Sequence, residues 1–174
     1  YRLAHGMLLY GHYSKGLLVQ CGMAADRMHV IYNSLNYREQ RELRELKSES
    51  LVSDIRSKLF GQSQSTTPYL IFVGRLTSIK RLDLLVQAVA RLKELGRCVN
   101  CLIVGEGPEE ARLHDLVRAE NLGGHLLFYG PCHQEQELSE LIYAADICVA
   151  PGNVGLTAMH ALVYGTPVVT HADR

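Results

Sequence analysis

Asp146-Ile-Cys-Val-Ala150-Pro151-Gly-Asn-Val-Gly155-Leu-Thr-Ala-Met-His160-Ala-Leu-Val-Tyr-Gly165-Thr-Pro-Val-Val-Thr170 is the stretch on which the reading of this chain turns. It begins as a short apolar strand and passes through a glycine-punctuated loop. A helix over 156–164, a Gly-Thr-Pro turn and a second strand over 167–170 follow. Gly152 and Gly155 let the backbone come close to a ligand and take up angles closed to other residues. A helix opening near Leu156 has free amide N–H groups and a partial positive charge at its start. Such a turn can hold a phosphate. The alternative is a βαβ turn whose glycines serve packing alone.

Upstream, the same alternation runs back to Tyr69. Tyr69-Leu-Ile-Phe-Val73 reads as a buried strand. Leu82, Leu85, Val89 and Leu92 share one face of a helix over 82–95, which Gly96 can end. Strands are expected at 99–104, 125–129 and 147–150, and helices at 108–120 and 134–145. Pro108 and the glutamates beside it suit a helix start. Strands and helices alternating at this spacing imply an α/β fold, a parallel sheet with helices on both faces and right-handed crossovers.

The preceding residues differ in composition. Residues 1–33 hold two apolar runs, Met7–Tyr10 and His29–Tyr32, around a helix at 14–20. This βαβ fragment is too small to bury its own faces. Residues 38–59 are charge-rich and helical, with Arg38 and Arg41 spaced to meet Glu42 and Glu45. A solvated linking helix is expected there, followed by a flexible polar connection, Gly61–Pro68. Three segments result: 1–33 as the tail of one domain, 34–68 as charged helix and linker, and 69–174 as an incomplete ligand-binding domain. The chain lacks a starting methionine and stops just after a strand, so truncation at both ends is expected.

The 174 residues are 47% hydrophobic, and 18 Lys+Arg balance 18 Asp+Glu. That composition suits a globular core and gives no global field for nucleic acid or an anionic membrane. The charges of 38–59 nearly cancel, so a nucleic-acid-binding helix is disfavoured there. No apolar run approaches the ~20 residues of a membrane-spanning helix. The cysteines, five in number, form no disulfide framework by spacing. Cys98 and Cys101 have the spacing of a metal or redox pair, but no second pair follows. Reduced thiols in a cytoplasmic protein are the simpler account.

In a sheet of this kind ligands bind beyond the carboxyl ends of the strands. Four ends can be located, at Val73-Gly74-Arg75, Val104–Pro108, Tyr129-Gly130-Pro131-Cys132-His133 and Ala150–Gly155. Arg75 and Lys80 at the first could clamp a diphosphate, Arg as a planar fork of donors and Lys as a mobile charge. Two solvated surface cations are the alternative. Glu106, Glu109 and Glu110 make the second end a poor phosphate cradle. His160 could bond hydroxyls of a ligand if it faces the loops, or be an ordinary helix residue; His133 and His171 are weaker candidates. No Ser-His-Asp order, paired carboxylates, metal triad or phosphate-binding Gly-Lys-Ser/Thr motif stands out.

Four motifs in order resemble the group 1 (family 4) glycosyltransferases. They are Phe72-Val-Gly-Arg-Leu-x-x-x-Lys-Arg-x-Asp-Leu-Leu85, Leu102-Ile-Val-Gly-Glu-Gly-Pro108, Ala144-Ala-Asp-Ile-x-Val-Ala-Pro151 and Gly155-Leu-x-x-x-x-Ala-Leu-x-x-Gly-Thr-Pro-Val-Val169. His29–Ser34 resembles the strand joining the two domains of that family. The resemblance implies the C-terminal half of a GT-B fold, a Rossmann-like domain that binds a nucleotide-diphosphate sugar. Sugar transfer with retention of configuration, without metal or cofactor, is implied with it. Arg75 and Lys80 would then hold the diphosphate and offset leaving-group charge. Gly74 lies beside them. Backbone N–H groups of Gly152, Asn153, Val154, Gly155, Leu156 and Thr157 would meet phosphates and sugar. Gly130, Pro131 and His133 would flank the base.

The pattern departs from the family at two positions. The family's paired glutamates fall on Gly152 and His160. Glycine leaves only backbone where the first usually contacts the donor sugar. An imidazole can make one of the bonds that the second makes to ribose hydroxyls. The implied acceptor is a sugar or lipid-linked sugar, bound by an N-terminal domain, in cell-surface polysaccharide or glycolipid assembly. Peripheral association of the full-length protein with the inner membrane face is compatible with that role. The 174 residues alone are expected not to turn over. The other reading is a catalytically inactive nucleotide-sugar-binding or scaffold module.

Overall fold

Alternation along two neighbouring strands builds the sheet. In β3 (Tyr69–Val73) and β4 (Asn100–Val104), which pair in parallel from Tyr69↔Asn100 to Val73↔Val104, odd and even residues point to opposite sides. Tyr69, Ile71, Leu102 and Val104 enter one core cluster, and Phe72, Cys101 and Ile103 the other. Strands buried on both faces in this way read as continuous apolar runs. The structure is a computed structural model and describes residues 4–171. It divides into two units, the second beginning at Asn36.

The first unit is β1 (Met7–Leu9), α1 (His12–Gln20) and β2 (Met28–Val30), with the two strands parallel. Met28 is buried, and the Lys15 ammonium donates to its carbonyl at 2.8 Å. Helix α1 contributes no buried residue. This agrees with a fragment too small to cover its own faces.

The second unit is a five-stranded parallel sheet of order β5-β4-β3-β6-β7. The remaining strands are β5 (Leu126–Gly130), β6 (Ile147–Ala150) and β7 (Val168–Thr170). Helices α4 (Leu82–Glu94) and α5 (Glu110–Ala119) cover one face with Leu85, Val86, Val89, Leu113 and Val117. The other face lies under α2 (Tyr37–Glu45), α3 (Glu49–Phe60), α6 (Glu135–Tyr143) and α7 (Thr157–Val163). The α/β, Rossmann-like sheet with helices on both faces is therefore as expected.

The charged segment is not. The single solvated helix expected over 38–59 is two helices, α2 and α3, interrupted at 46–48. The Ser48 hydroxyl accepts from the Leu51 amide at 3.3 Å and restarts the chain as an N-cap. Leu43, Val52, Ile55, Leu59 and Phe60 pack into the core on the α6 side. The Lys47 side chain is 3% exposed and lies 3.7 Å from Glu140. Arg56 bonds Asp146 at 2.8 Å and the Ala144 carbonyl at 2.9 Å. Charge at most positions hid a narrow apolar stripe, which was enough to bury one face. The expected Arg41–Glu45 pair does form, at 3.6 Å and solvated. Helix α5 starts at Glu110, two residues after Pro108, which lies in the preceding turn. Cys98 is exposed and Cys101 buried.

Candidate functional site

The carboxyl ends of β3, β4 and β5 are bound to one another through backbone. Gly74 N–H donates to the Val104 carbonyl at 2.9 Å, Leu76 to Glu106 at 2.9 Å and Gly105 to Gly130 at 2.8 Å. A Cβ on Gly105, which has φ 136°, would lie 2.0 Å from the Gly74 oxygen, so only glycine lets these two loops meet. Above them opens a cleft of about 800 Å³. It is lined by Val73, Gly74, Arg75, Val104 to Pro108, Glu110, Pro131, Cys132 and His133.

Arg75, Gly74, Pro131 and His133 share this cleft, and Gly130, which is not among its lining residues, accepts from the Gly105 amide beside it. The glutamates Glu106 and Glu110 stand in the same wall. Cys132 is half-buried there. Burial and the neighbouring Glu137 carboxylate push its thiol above the ordinary range, so it is a poor nucleophile.

Lys80, residues 152–157 and His160 do not line this cleft; Lys80 is bonded to the loop at Asn153, and Thr157 to Val73 in the cleft wall. Lys80 ends a 3₁₀ turn, Ser78–Lys80, and its ammonium donates to the Asn153 carbonyl at 2.5 Å. Asn153 N–H donates to the Ile79 carbonyl at 3.0 Å. Burial lowers the pKa of the Lys80 amine. Gly155 takes φ 60° within the same loop, and Leu156 precedes α7. Thr157 is buried at the start of α7, and its hydroxyl donates to the Val73 carbonyl at 2.8 Å. The two halves of the sequence reading are therefore tied at distinct points. Lys80 meets the loop at Asn153, and α7 meets the end of β3 at Thr157. Arg75 projects from the next residue but one.

His160 lies one turn into α7 and is turned toward α6. Its Nε2 is 3.1 and 3.2 Å from the two Glu135 carboxylate oxygens, and its ring stacks on Tyr164 with centroids 6.5 Å apart. Glu135 also accepts from the Tyr164 hydroxyl at 2.6 Å and from the Gln40 amide at 3.0 Å. Burial alone would raise the Glu135 carboxyl, but these hydrogen bonds outweigh it and hold the pKa below the ordinary carboxylate value. Glu135 was missed from sequence, where it reads only as a favourable charge in the first turn of α6. Asp146 was missed too. It accepts the Tyr69 amide at 2.7 Å while pairing with Arg56. His171 has its Nδ1 3.5 Å from the Thr170 hydroxyl, beyond β7.

A family model described as glycosyl transferases group 1 matches residues 55–174. The chain is 33% identical over 117 residues to 2-deoxystreptamine glucosyltransferase of Streptomyces kanamyceticus, covering 66% of this chain and 30% of that protein. It is 34% identical over 103 residues to the GDP-mannose-dependent alpha-(1-6)-phosphatidylinositol dimannoside mannosyltransferase of Mycobacterium tuberculosis, covering 58% and 26%. The fold resembles the crystal structure of Anabaena Alr3699/HepE in complex with UDP-glucose. That comparison gives TM-score 0.75 and 23% identity over 97% of this chain and 45% of that one. The chain thus spans about a third or less of these two curated relatives.

Proposed function

The chain belongs to the glycosyl transferases group 1 family, and from that premise we propose that its sheet unit binds the nucleotide-diphosphate sugar of a retaining sugar transfer. One observation carries the reading: a glycine-walled cleft at the carboxyl ends of β3, β4 and β5 has Arg75 on its wall, and a lysine-bearing turn is tied to the loop beside it. Arg75 and Lys80 take the diphosphate and stabilise charge developing on it as the sugar departs. Amides of Gly152 to Thr157 complete the phosphate and sugar contacts. Gly74 stays clear of the ligand for want of a side chain, Gly130, Pro131 and His133 flank the base, and His160 bonds a ribose hydroxyl. The solved Anabaena structure in complex with UDP-glucose supports a donor of this class. Acceptor recognition, of a sugar or lipid-linked sugar, is assigned to another domain of the full-length protein. Its setting is the assembly of surface polysaccharide or glycolipid at the inner membrane face.

Thermal melting of this chain with UDP, GDP and ADP tests the reading. A nucleotide at a hundred times its dissociation constant stabilises by about 2.7 kcal/mol. The shift should fall sharply in Arg75→Ala and in Lys80→Ala. No shift with any nucleotide, or shifts indifferent to both substitutions, refutes it.

A second reading, a module that binds a nucleotide sugar without transferring it, is favoured by Gly152. An added Cβ there would lie 2.1 Å from the Ile79 oxygen, so no carboxylate can stand at that position. Donor binding by the full-length protein without transfer or hydrolysis would select it.

A further inference from the structure

We propose that Glu135 is a positioning residue for the donor site: it holds Nε2 of His160 and so leaves Nδ1 as the ring nitrogen that meets a ligand hydroxyl. The inference rests on the reading of His160 as a ribose contact and assigns the group that makes such a contact specific. A carboxylate offers acceptors only. Both Glu135 oxygens lie within 3.2 Å of Nε2, so that nitrogen must carry the hydrogen. With Nε2 taken by Glu135, Nδ1 is the ring nitrogen left for a ligand, and it has no bonding partner among the described residues. Orientation of an imidazole through its far nitrogen is how a carboxylate selects the tautomer of a functional histidine.

Two further features suit positioning. Glu135 is itself immobilised, by the Tyr164 hydroxyl at 2.6 Å and by the amide of the 3%-exposed Gln40 at 3.0 Å. Both bonds reach Oε1, so three elements fix the carboxylate before any ligand arrives. Its place in the chain also matters. Glu135 follows the cleft residue His133 by two positions, and His160 follows Thr157, bonded to the end of β3, by three. The pair therefore joins α6, which follows the loop that lines the cleft, to α7, whose first residue is bonded to the end of β3. A bond between Nδ1 and a ligand hydroxyl replaces one of the bonds a carboxylate at position 160 would make.

The test measures discrimination, not affinity alone. UDP and GDP are titrated beside their 2′,3′-dideoxy counterparts into the wild-type chain, His160→Ala and Glu135→Leu, the last of which leaves no acceptor for Nε2. The wild type should prefer the hydroxylated nucleotide by about tenfold, the worth of one such bond. His160→Ala and Glu135→Leu should both bring the ratio near one. In parallel, ¹⁵N resonances of the His160 ring should report a hydrogen held on Nε2 in the wild type and lose that preference in Glu135→Leu. An unchanged ratio in His160→Ala overturns the ligand role of His160. A ratio lost in His160→Ala but kept in Glu135→Leu overturns the role of Glu135 alone. A wild-type ring with no hydrogen on Nε2 overturns the inference without any variant. Failure of both nucleotides to bind overturns the donor-site reading itself.

Discussion

At Gly152 an added Cβ would lie 2.1 Å from the Ile79 oxygen and 2.7 Å from the Lys80 carbonyl carbon, both backbone. The close approach legible in the sequence at this glycine is thus to the chain's own turn. The turn is the one that carries Lys80. Gly152→Ala should cost about 1–3 kcal/mol, as overpacking against backbone does, and weaken nucleotide binding by displacing Lys80. Gly123→Ala, where nothing lies within 4 Å, should cost far less. Urea denaturation of both variants checks the contrast. The reason for Gly152 could not be read in sequence, because Ile79 and Asn153 are brought together only by the pairing of β3 with β6. Glu135 is similar: its partners Gln40, His160 and Tyr164 lie far from it in the chain. Its carboxyl pKa is depressed in the folded state, so it contributes stability above the unfolded carboxyl pKa and loses it as pH falls through the folded value. Glu135→Gln should therefore be less stable than wild type near pH 7, by about 1–3 kcal/mol. The gap should close as pH falls below the ordinary carboxyl range. Denaturation midpoints across that range measure it.

At the scale of elements, strands were the most legible part. β3 and β6 have the ends expected from sequence, Tyr69–Val73 and Ile147–Ala150, because a strand covered on both faces must be apolar throughout. Helices α4 and α6 came within two residues. The failure was α2–α3, where good helix formers run up to Lys47 and conceal the stop. Only the Ser48 hydroxyl marks it, and Leu51 at the third position removes the usual acidic companion of a capping serine. Ser48→Ala should therefore destabilise by about 1 kcal/mol and Ser48→Gly by only a few tenths. Helix α3 is then held to the sheet at one point of high consequence. Asp146 receives both the Arg56 guanidinium and the amide of Tyr69, whose side chain is fully buried. Asp146→Ala leaves that amide without its acceptor and should cost about 1–3 kcal/mol. Amide exchange at Tyr69 should quicken with it.

Taken as a whole molecule, the chain has 18 basic and 18 acidic side chains, so no overall field draws in an anion. Attraction for a diphosphate must come from charges near the site. Arg75 on the cleft wall and Lys80 beside the 152–155 loop attract, while Glu106 and Glu110 in the cleft wall repel. The sheet order β5-β4-β3-β6-β7 sets this balance. It places the acidic end of β4 next to the basic end of β3, with the loop after β6 on the other side. These residue types and their strand ends were legible in the sequence, but their side-by-side arrangement follows from the order, which the sequence pattern left open. Salt screens exposed charges more than buried ones. Arg75 and Glu106 are exposed, so nucleoside diphosphate binding should weaken as salt rises from 50 to about 500 mM, where the Debye length falls several-fold. Either Arg75→Ala or Lys80→Ala should flatten the dependence. With both replaced, the remaining glutamates should reverse it, so that salt strengthens what binding persists. Calorimetric titration of the wild type, both single variants and the double variant reads the sign directly. A double variant that keeps the wild-type slope would place the anion's attraction elsewhere in the molecule.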